Sequence, residues 1–216
     1  AKSSRELDLA LFNAGDYVRA VEGKNASEVI SKVLYPNDNF EAGRELRLRQ
    51  EYFFASCAVQ DVVRRHVARY GRLDNFADKN ALQLNDTHPA IAVAELMRLF
   101  VDKHRLPWKR AFALTRAAFG FTNHTLMPEA LETWPVSLMK RLLPRHVEII
   151  EEIDQSFSAE VAAAFPNDSE RADRMAIVAD EEIHMARLAV VGSHAVNGVA
   201  ELHSELLRTR LLADFA

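Results

Sequence analysis

The chain has 216 residues, 49% of them apolar, with a net charge of −4 and only 7 glycines and 7 prolines. That length and apolar share suffice for a substantial core, and so little Gly and Pro argues against an all-β or loop-rich protein. The acidic balance and the lack of a long Lys/Arg run argue against a dedicated nucleic-acid or membrane-surface role, and one cysteine, Cys57, rules out an intramolecular disulfide or a thiolate metal cluster.

No apolar run approaches the roughly 20 residues that span a bilayer, and AKSSRELDLA at the amino terminus has no apolar signal core. A cytoplasmic location is therefore expected. The first residue is not Met, as expected of a chain processed or cut from a longer one. Without repeats, low-complexity tracts or a Gly/Ser linker, residues 1–216 read as a single unit.

In chain order, helical signals dominate. Residues 25–34, NASEVISKVL, begin with capping residues and stop before Pro36. Residues 41–70 hold no proline and are followed by Gly71; one helix there would be about 45 Å long at ~1.5 Å per residue. Residues 107–118 start at a proline and predict another helix. After Pro144 a stripe of Val147, Ile150, Phe157 and Val161 predicts one helix ending before Pro166.

Two short apolar segments interrupt this pattern, ALQLN and AFGFTN, and each precedes a proline-marked helix start, at Pro89 and Pro128. Residues 188–207, LAVVGSHAVNGVAELHSELL, read as a third junction: an apolar segment, a turn at Gly192 and Ser193, then a helix. Strand-to-helix junctions carrying polar residues are where α/β proteins bind ligands, because strand carboxyl ends and helix amino ends meet there. The expected fold is mainly α with two or three short strands.

Four polar clusters lie between regular elements: PNDNF (36–40), NDTHP (85–89), TNHT (122–125) and GSHAVNG (192–198). Their carboxylate, carboxamide and imidazole groups both donate and accept, which suits sugar hydroxyls. Plainer roles stand beside this reading. Asn85, Asp86 and Thr87 are good helix caps. Cys57, Met127, Met139, Met175 and Met185 have the setting of core residues, and GRELRLRQE that of a solvated helix face. His88, His124 and His194 with Asp86 offer metal ligands, yet no two of these histidines have HExxH spacing and no cysteine assists. Ser193 lacks a nucleophile-elbow pattern, and neither GxGxxG nor a P-loop occurs.

At these motifs the sequence resembles the α-glucan (glycogen and maltodextrin) phosphorylases. VLYPNDNF, ELRLRQEYFF, LQLNDTHPAIAVAELMRLFVD, TNHTLMPEALETWPVSLMKRLLPRHVEII, NDSERADRM and VVGSHAVNGVAELHSELL stand in that family's order at about its spacing. The resemblance covers nearly the whole chain but only about a quarter of a typical phosphorylase. It implies an incomplete, Rossmann-like α/β amino-terminal domain of a two-domain glucosyltransferase of the GT-B type. The implied activity is phosphorolysis of α-1,4-glucan to glucose 1-phosphate.

The residue roles come from the resemblance. His124 matches a residue whose backbone carbonyl faces the sugar ring and stabilises an oxocarbenium-like transition state. Asp38 and Asn39 match a loop over the active site, with Asn39 near a glucose hydroxyl. Asp86, His88 and Val199 match residues around the glucosyl site, and Phe40 an aromatic at the cleft mouth where planar inhibitors stack. Arg64 and Arg65 align with arginines that bind an activator's phosphate in some members, though a solvated helix face accounts for them as well. Pyridoxal phosphate belongs to a carboxy-terminal domain, and its lysine region has no match here. This chain alone is therefore expected to bind no cofactor, to be inactive and to associate with itself. The rival reading is a non-catalytic helical module that binds glucan or self-associates.

Overall fold

A computed structural model describes residues 6–216, so AKSSR at the amino terminus lies outside the described residues. The chain divides into two compact units, Ala1–Phe53 and Phe54–Ala216.

In the first unit, α1 (Leu9–Asn13) starts at Asp8, whose carboxylate accepts from the amides of Ala10 and Leu11. Helix α2 (Tyr17–Lys32) starts at Asp16, whose Oδ1 accepts from the Arg19 amide at 3.2 Å. The helix thus begins eight residues before Asn25. The reason is local: Asp16 satisfies an amide that nothing within the helix can reach. Helix α3 (Glu41–Tyr70) is the single long helix expected and runs on into the second unit. Gly71 ends it in the left-handed region, φ +66°, with its amide bonded to the Val67 carbonyl at 2.8 Å.

The loop before α3 is pinned to that helix's first turns. The Asn37 carbonyl lies so close to Gly43 that a Cβ there would meet it at 1.8 Å. Arg47 Nη1 donates to Asp38 Oδ2 at 2.7 Å, and Gln50 Nε2 donates to the Val33 carbonyl, also at 2.7 Å. GRELRLRQE is therefore no uniform solvated face, since Leu48 and Gln50 within it are buried.

In the second unit, α4 (Phe76–Lys79) precedes β1 (Leu82–Asn85), and α5 (Ile91–Arg98) runs on as a π-helical turn, Leu99–Lys103. Then come α6 (Trp108–Ala118), β2 (Phe119–Asn123), β3 (Thr133–Pro135), α7 (Val136–Leu142) and α8 (Pro144–Ala164). The chain closes through α9 (Arg171–Met175), β4 (Val178–Ala179), β5 (Glu182–His184), α10 (Met185–Val191), β6 (Ala195–Gly198) and α11 (Glu201–Leu206). The last residues form a π-helical turn, Leu207–Leu211, and a 3₁₀ turn, Ala213–Phe215.

Mainly helical content with a few short strands agrees with a partial α/β domain. The strands number six among the described residues rather than two or three. Strands β1, β2 and β6 form a parallel sheet with β2 in the middle, and β3, β5 and β4 form a separate antiparallel one. The antiparallel strands are two or three residues long, too short for an alternating pattern. The third junction also differs. Its apolar residues 188–191 belong to helix α10, and the strand, β6, follows the turn at Gly192 and Ser193.

Helix α5 is the hub of this unit: Ile91 through Met97 are all buried, with α6, α8 and α10 packed against the helix. Phe76 and Phe100 meet edge to face at 5.1 Å and are fully buried. This interior holds a carboxylate, Glu95, 0% exposed. It accepts from Ser56 Oγ (2.8 Å), Gln60 Nε2 (3.2 Å) and Arg98 Nε (2.7 Å), and it lies 2.8 Å from His146 Nε2. One carboxylate thereby joins the later part of α3 to α5 and α8. Met139, Met175 and Met185 are buried as expected, whereas Met127 is exposed at the end of a loop. Cys57, expected in the core, is exposed: Ala55 and Val59 flank it on the buried side of α3, and it faces the other way. No described helix is long and apolar enough to cross a membrane.

Candidate active site

The carboxyl ends of the three parallel strands bring three of the polar clusters together. Leu82 to Asn85 of β1 pair with Phe119 to Thr122 of β2, and Gly120 to Asn123 of β2 pair with Ala195 to Gly198 of β6. NDTH, NH and NGV therefore leave the sheet side by side.

Asp86 extends the ladder by one bond, its amide donating to the Thr122 carbonyl at 2.8 Å. It then turns into the left-handed region at φ +67°, which costs a non-glycine residue of order 1 kcal/mol. Its own Oδ1 accepts from the Thr87 amide at 2.7 Å. Thr87 is buried and its carbonyl accepts from the Ala90 amide, starting the turn that leads into α5. Asp86 and His88 are half-buried at this junction.

At the end of β2, Asn123 is fully buried and His124 is exposed. His124 Nε2 lies 2.5 Å from Asn85 Oδ1. A carboxamide oxygen only accepts, so Nε2 carries the proton, and the imidazole is braced against the neighbouring strand. Asn123 Oδ1 accepts from the Thr125 amide (3.0 Å) and from His203 Nε2 (3.1 Å).

The end of β6 is held by α11. The Gly198 amide donates to Ser204 Oγ at 2.9 Å, and a Cβ at Gly198 would meet the His203 ring at 2.6 Å. Val199, just beyond, is exposed. On one face of the sheet, Gln83 Nε2 donates to Thr122 Oγ1 (2.9 Å), which donates to Asn197 Oδ1 (3.1 Å), so a side-chain chain crosses all three strands.

The other candidates belong to other elements. Asp38, Asn39 and Phe40 belong to the first unit, where the Asn39 amide donates to Asn37 Oδ1 (3.1 Å) and Phe40 is exposed. Arg64 and Arg65 are exposed on α3 and both approach Asp61, whose carboxyl is held below the ordinary range, chiefly by the Arg64 hydrogen bond. His194 is exposed, its amide completing the ladder to Phe119, and among the described residues it joins no metal-ligand cluster with His88 and His124. Ser193 Oγ is buried without a hydrogen-bond partner, so nothing activates it as a nucleophile.

Sequence reading missed Asn85, Asn123, Asn197, His203 and Ser204 as supports of these loops. Their partners sit up to 80 residues away, so no local spacing signals them. The arrangement presents an imidazole, carboxamides, a carboxylate and backbone carbonyls along one edge, with an apolar side chain at Val199.

A family model described as carbohydrate phosphorylase matches residues 1–216. Glycogen phosphorylase of Synechocystis is 52% identical over 218 residues, and the human liver form of glycogen phosphorylase is 50% identical over 227. The rabbit (Oryctolagus cuniculus) muscle form is also 50% identical, over 226. Each alignment takes in 100% of this chain but only 26% or 27% of the relative, so the chain spans about a quarter of the length of the curated relatives it matches. With its entire length matched by the family model and half its residues shared with these enzymes, the chain belongs to the carbohydrate phosphorylase family.

Proposed function

We propose that this chain forms the sugar-side wall of a glucan phosphorylase, an enzyme that uses inorganic phosphate to release glucose 1-phosphate from the end of an α-1,4-glucan. The observation that carries this reading is the meeting of Asp86, His88, His124 and Val199 at the carboxyl edge of one parallel sheet. Strand ends of this kind form ligand crevices in α/β folds. Family membership supplies the reaction class.

In this reading His124 is the catalytic position. Its backbone carbonyl faces the sugar, and its side chain, tied to Asn85, keeps that carbonyl aimed. An oxocarbenium-like transition state carries positive charge at the anomeric carbon, and preorganised carbonyl and carboxylate dipoles stabilise it. Asp86 and His88 accept and donate to sugar hydroxyls, and Val199 packs on the ring. Asp38 and Asn39 are assigned to substrate binding and Phe40 to a cleft mouth by family resemblance. Arg64 and Arg65 take an effector phosphate in the same reading.

The family generally depends on pyridoxal phosphate. Residues 85–89, 123–127 and 197–200 include no lysine, so nothing at this edge offers the amine that would hold the group. The phosphate-activating chemistry belongs outside this wall, and the chain alone is inactive. The whole enzyme is cytoplasmic and self-associating in this reading.

The test is glucose 1-phosphate release from glycogen and phosphate by the full-length protein that contains this segment, wild type against Asp86→Asn. Loss of about tenfold or more in kcat/KM, with the thermal melt unchanged, is the expected result. An unchanged kcat/KM would favour the rival reading, a glucan-binding or self-associating module without turnover.

A further inference from the structure

A cavity lined by polar and apolar groups lies where the antiparallel sheet, α10 and the carboxy-terminal turns meet. Its volume is about 320 Å³. Glu132, Thr133, His184, Arg187 and Arg210 line it, together with the apolar Leu211, Leu212 and Phe215.

Arg187 is the unusual group. It sits half-buried at the start of α10, and burial pushes its guanidinium below the ordinary arginine range. Its Nη1 donates to the Ala176 carbonyl at 2.5 Å, yet among the described residues no carboxylate forms an ion pair with it. A half-buried guanidinium normally has such a partner, because desolvating it is costly and its planar fork matches an oxyanion. Next to it, His184 Nε2 is buried with no hydrogen-bond partner. Arg210, exposed on the π-helical turn at the cavity's rim, likewise forms no ion pair among the described residues.

The charges on the wall restrict the ligand further. Arg174 also lines the cavity but is occupied by Asp168 and Asp214, at 2.9 Å and 3.0 Å. The cationic side chains lining the cavity are Arg174, Arg187 and Arg210, and the anionic ones Glu132 and Asp214, so the wall is net positive by one. Two guanidinium groups without an ion-pair partner favour an oxyanion that carries more than one negative charge, such as phosphate, over a monocarboxylate.

We propose that this cavity is an oxyanion site, distinct from the strand-end crevice, in which Arg187 and Arg210 bind an oxyanion of the phosphate class. The inference rests on this cavity alone and does not depend on the sugar-site reading.

The experiment is titration of the ¹⁵N-labelled chain with inorganic phosphate, with acetate and chloride as parallel arms. The expected result is saturable shifts confined to amides in 129–134, 184–188 and 208–215, with acetate and chloride weaker. Arg210→Gln, at an exposed position without an ion-pair partner, keeps the wild-type melt and weakens phosphate binding about tenfold. Arg187→Gln weakens it more. If Arg187→Gln fails to fold, the Arg210→Gln titration decides alone. Shifts at residues 85–88 and 123–125 instead, the absence of saturation, equal response to acetate, or unchanged binding in Arg210→Gln would each overturn the proposal.

Discussion

His203 Nε2 lies 3.1 Å from Asn123 Oδ1, joining α11 to the end of the central strand across 80 residues of sequence. That bond closes the carboxyl edge of the sheet, because the Gly198 backbone packs directly on the His203 ring. His203→Ala leaves the buried Asn123 carboxamide short of a partner while its Nδ2 already lacks one. The expected loss is about 1–3 kcal/mol in urea unfolding. A double-mutant cycle with Asn123→Ala should return a coupling energy near 1 kcal/mol, and additivity would show that the two residues act independently.

Glu95 gives the acid limb of stability. Burial raises its pKa, but hydrogen bonds from Arg98, His146 and Ser56 outweigh burial and bring it from an ordinary 4.5 to about 2. A depressed carboxylate stabilises the fold above its unfolded value. That stabilisation, about 3 kcal/mol, is therefore complete above pH ~4.5 and is lost as pH falls toward 2. Glu95→Gln should flatten the stability-versus-pH curve in that window and lower the plateau at neutral pH. A curve parallel to wild type would remove Glu95 from the account.

At Gly43 the Asn37 carbonyl occupies the space of a side chain. Gly43→Ala should leave helical circular dichroism nearly intact yet displace the 36–40 loop. Amide shifts at Asn37, Asp38 and Asn39 read that displacement, and weaker glucan affinity of the full-length protein is the functional consequence if those residues bind sugar. A wild-type loop spectrum in the Gly43→Ala variant would contradict the packing described.

Cys57 is exposed on α3, so a thiol reagent should label it in the native chain within minutes, without denaturant. Labelling that requires unfolding would return Cys57 to the core.

Strands β1 and β6 each pair on one side only among the described residues, which leaves open edges on the parallel sheet. In the first unit Leu9, Tyr17, Val18, Val33 and Tyr35 are exposed. Association of the chain with itself at micromolar concentration is the expected outcome by light scattering. A sharp monomer mass with one cooperative melt would exclude it.

The boundaries of α3, α6 and α8 were legible because proline and glycine act through local sterics, whatever the fold around them. The handover from β1 and β2 to polar loops was legible for a similar reason: an apolar run followed by capping residues is a local signal. The start of α2 at Asp16 was misjudged because Asn25, an equally good cap by type, sits within a helix already begun. Residues 188–191 and β6 exchanged roles because a four-residue apolar run carries no period of its own, so tertiary packing decides between helix and strand. The tertiary structure alone decided which polar groups meet. Sheet register set His124 against Asn85, and the return of α11 set His203 against Asn123. The packing of three helices gathered Ser56, Glu95 and His146 around one buried charge. These contacts join residues 39 to 80 positions apart, and their energies depend on exclusion of water, which no single stretch of sequence encodes.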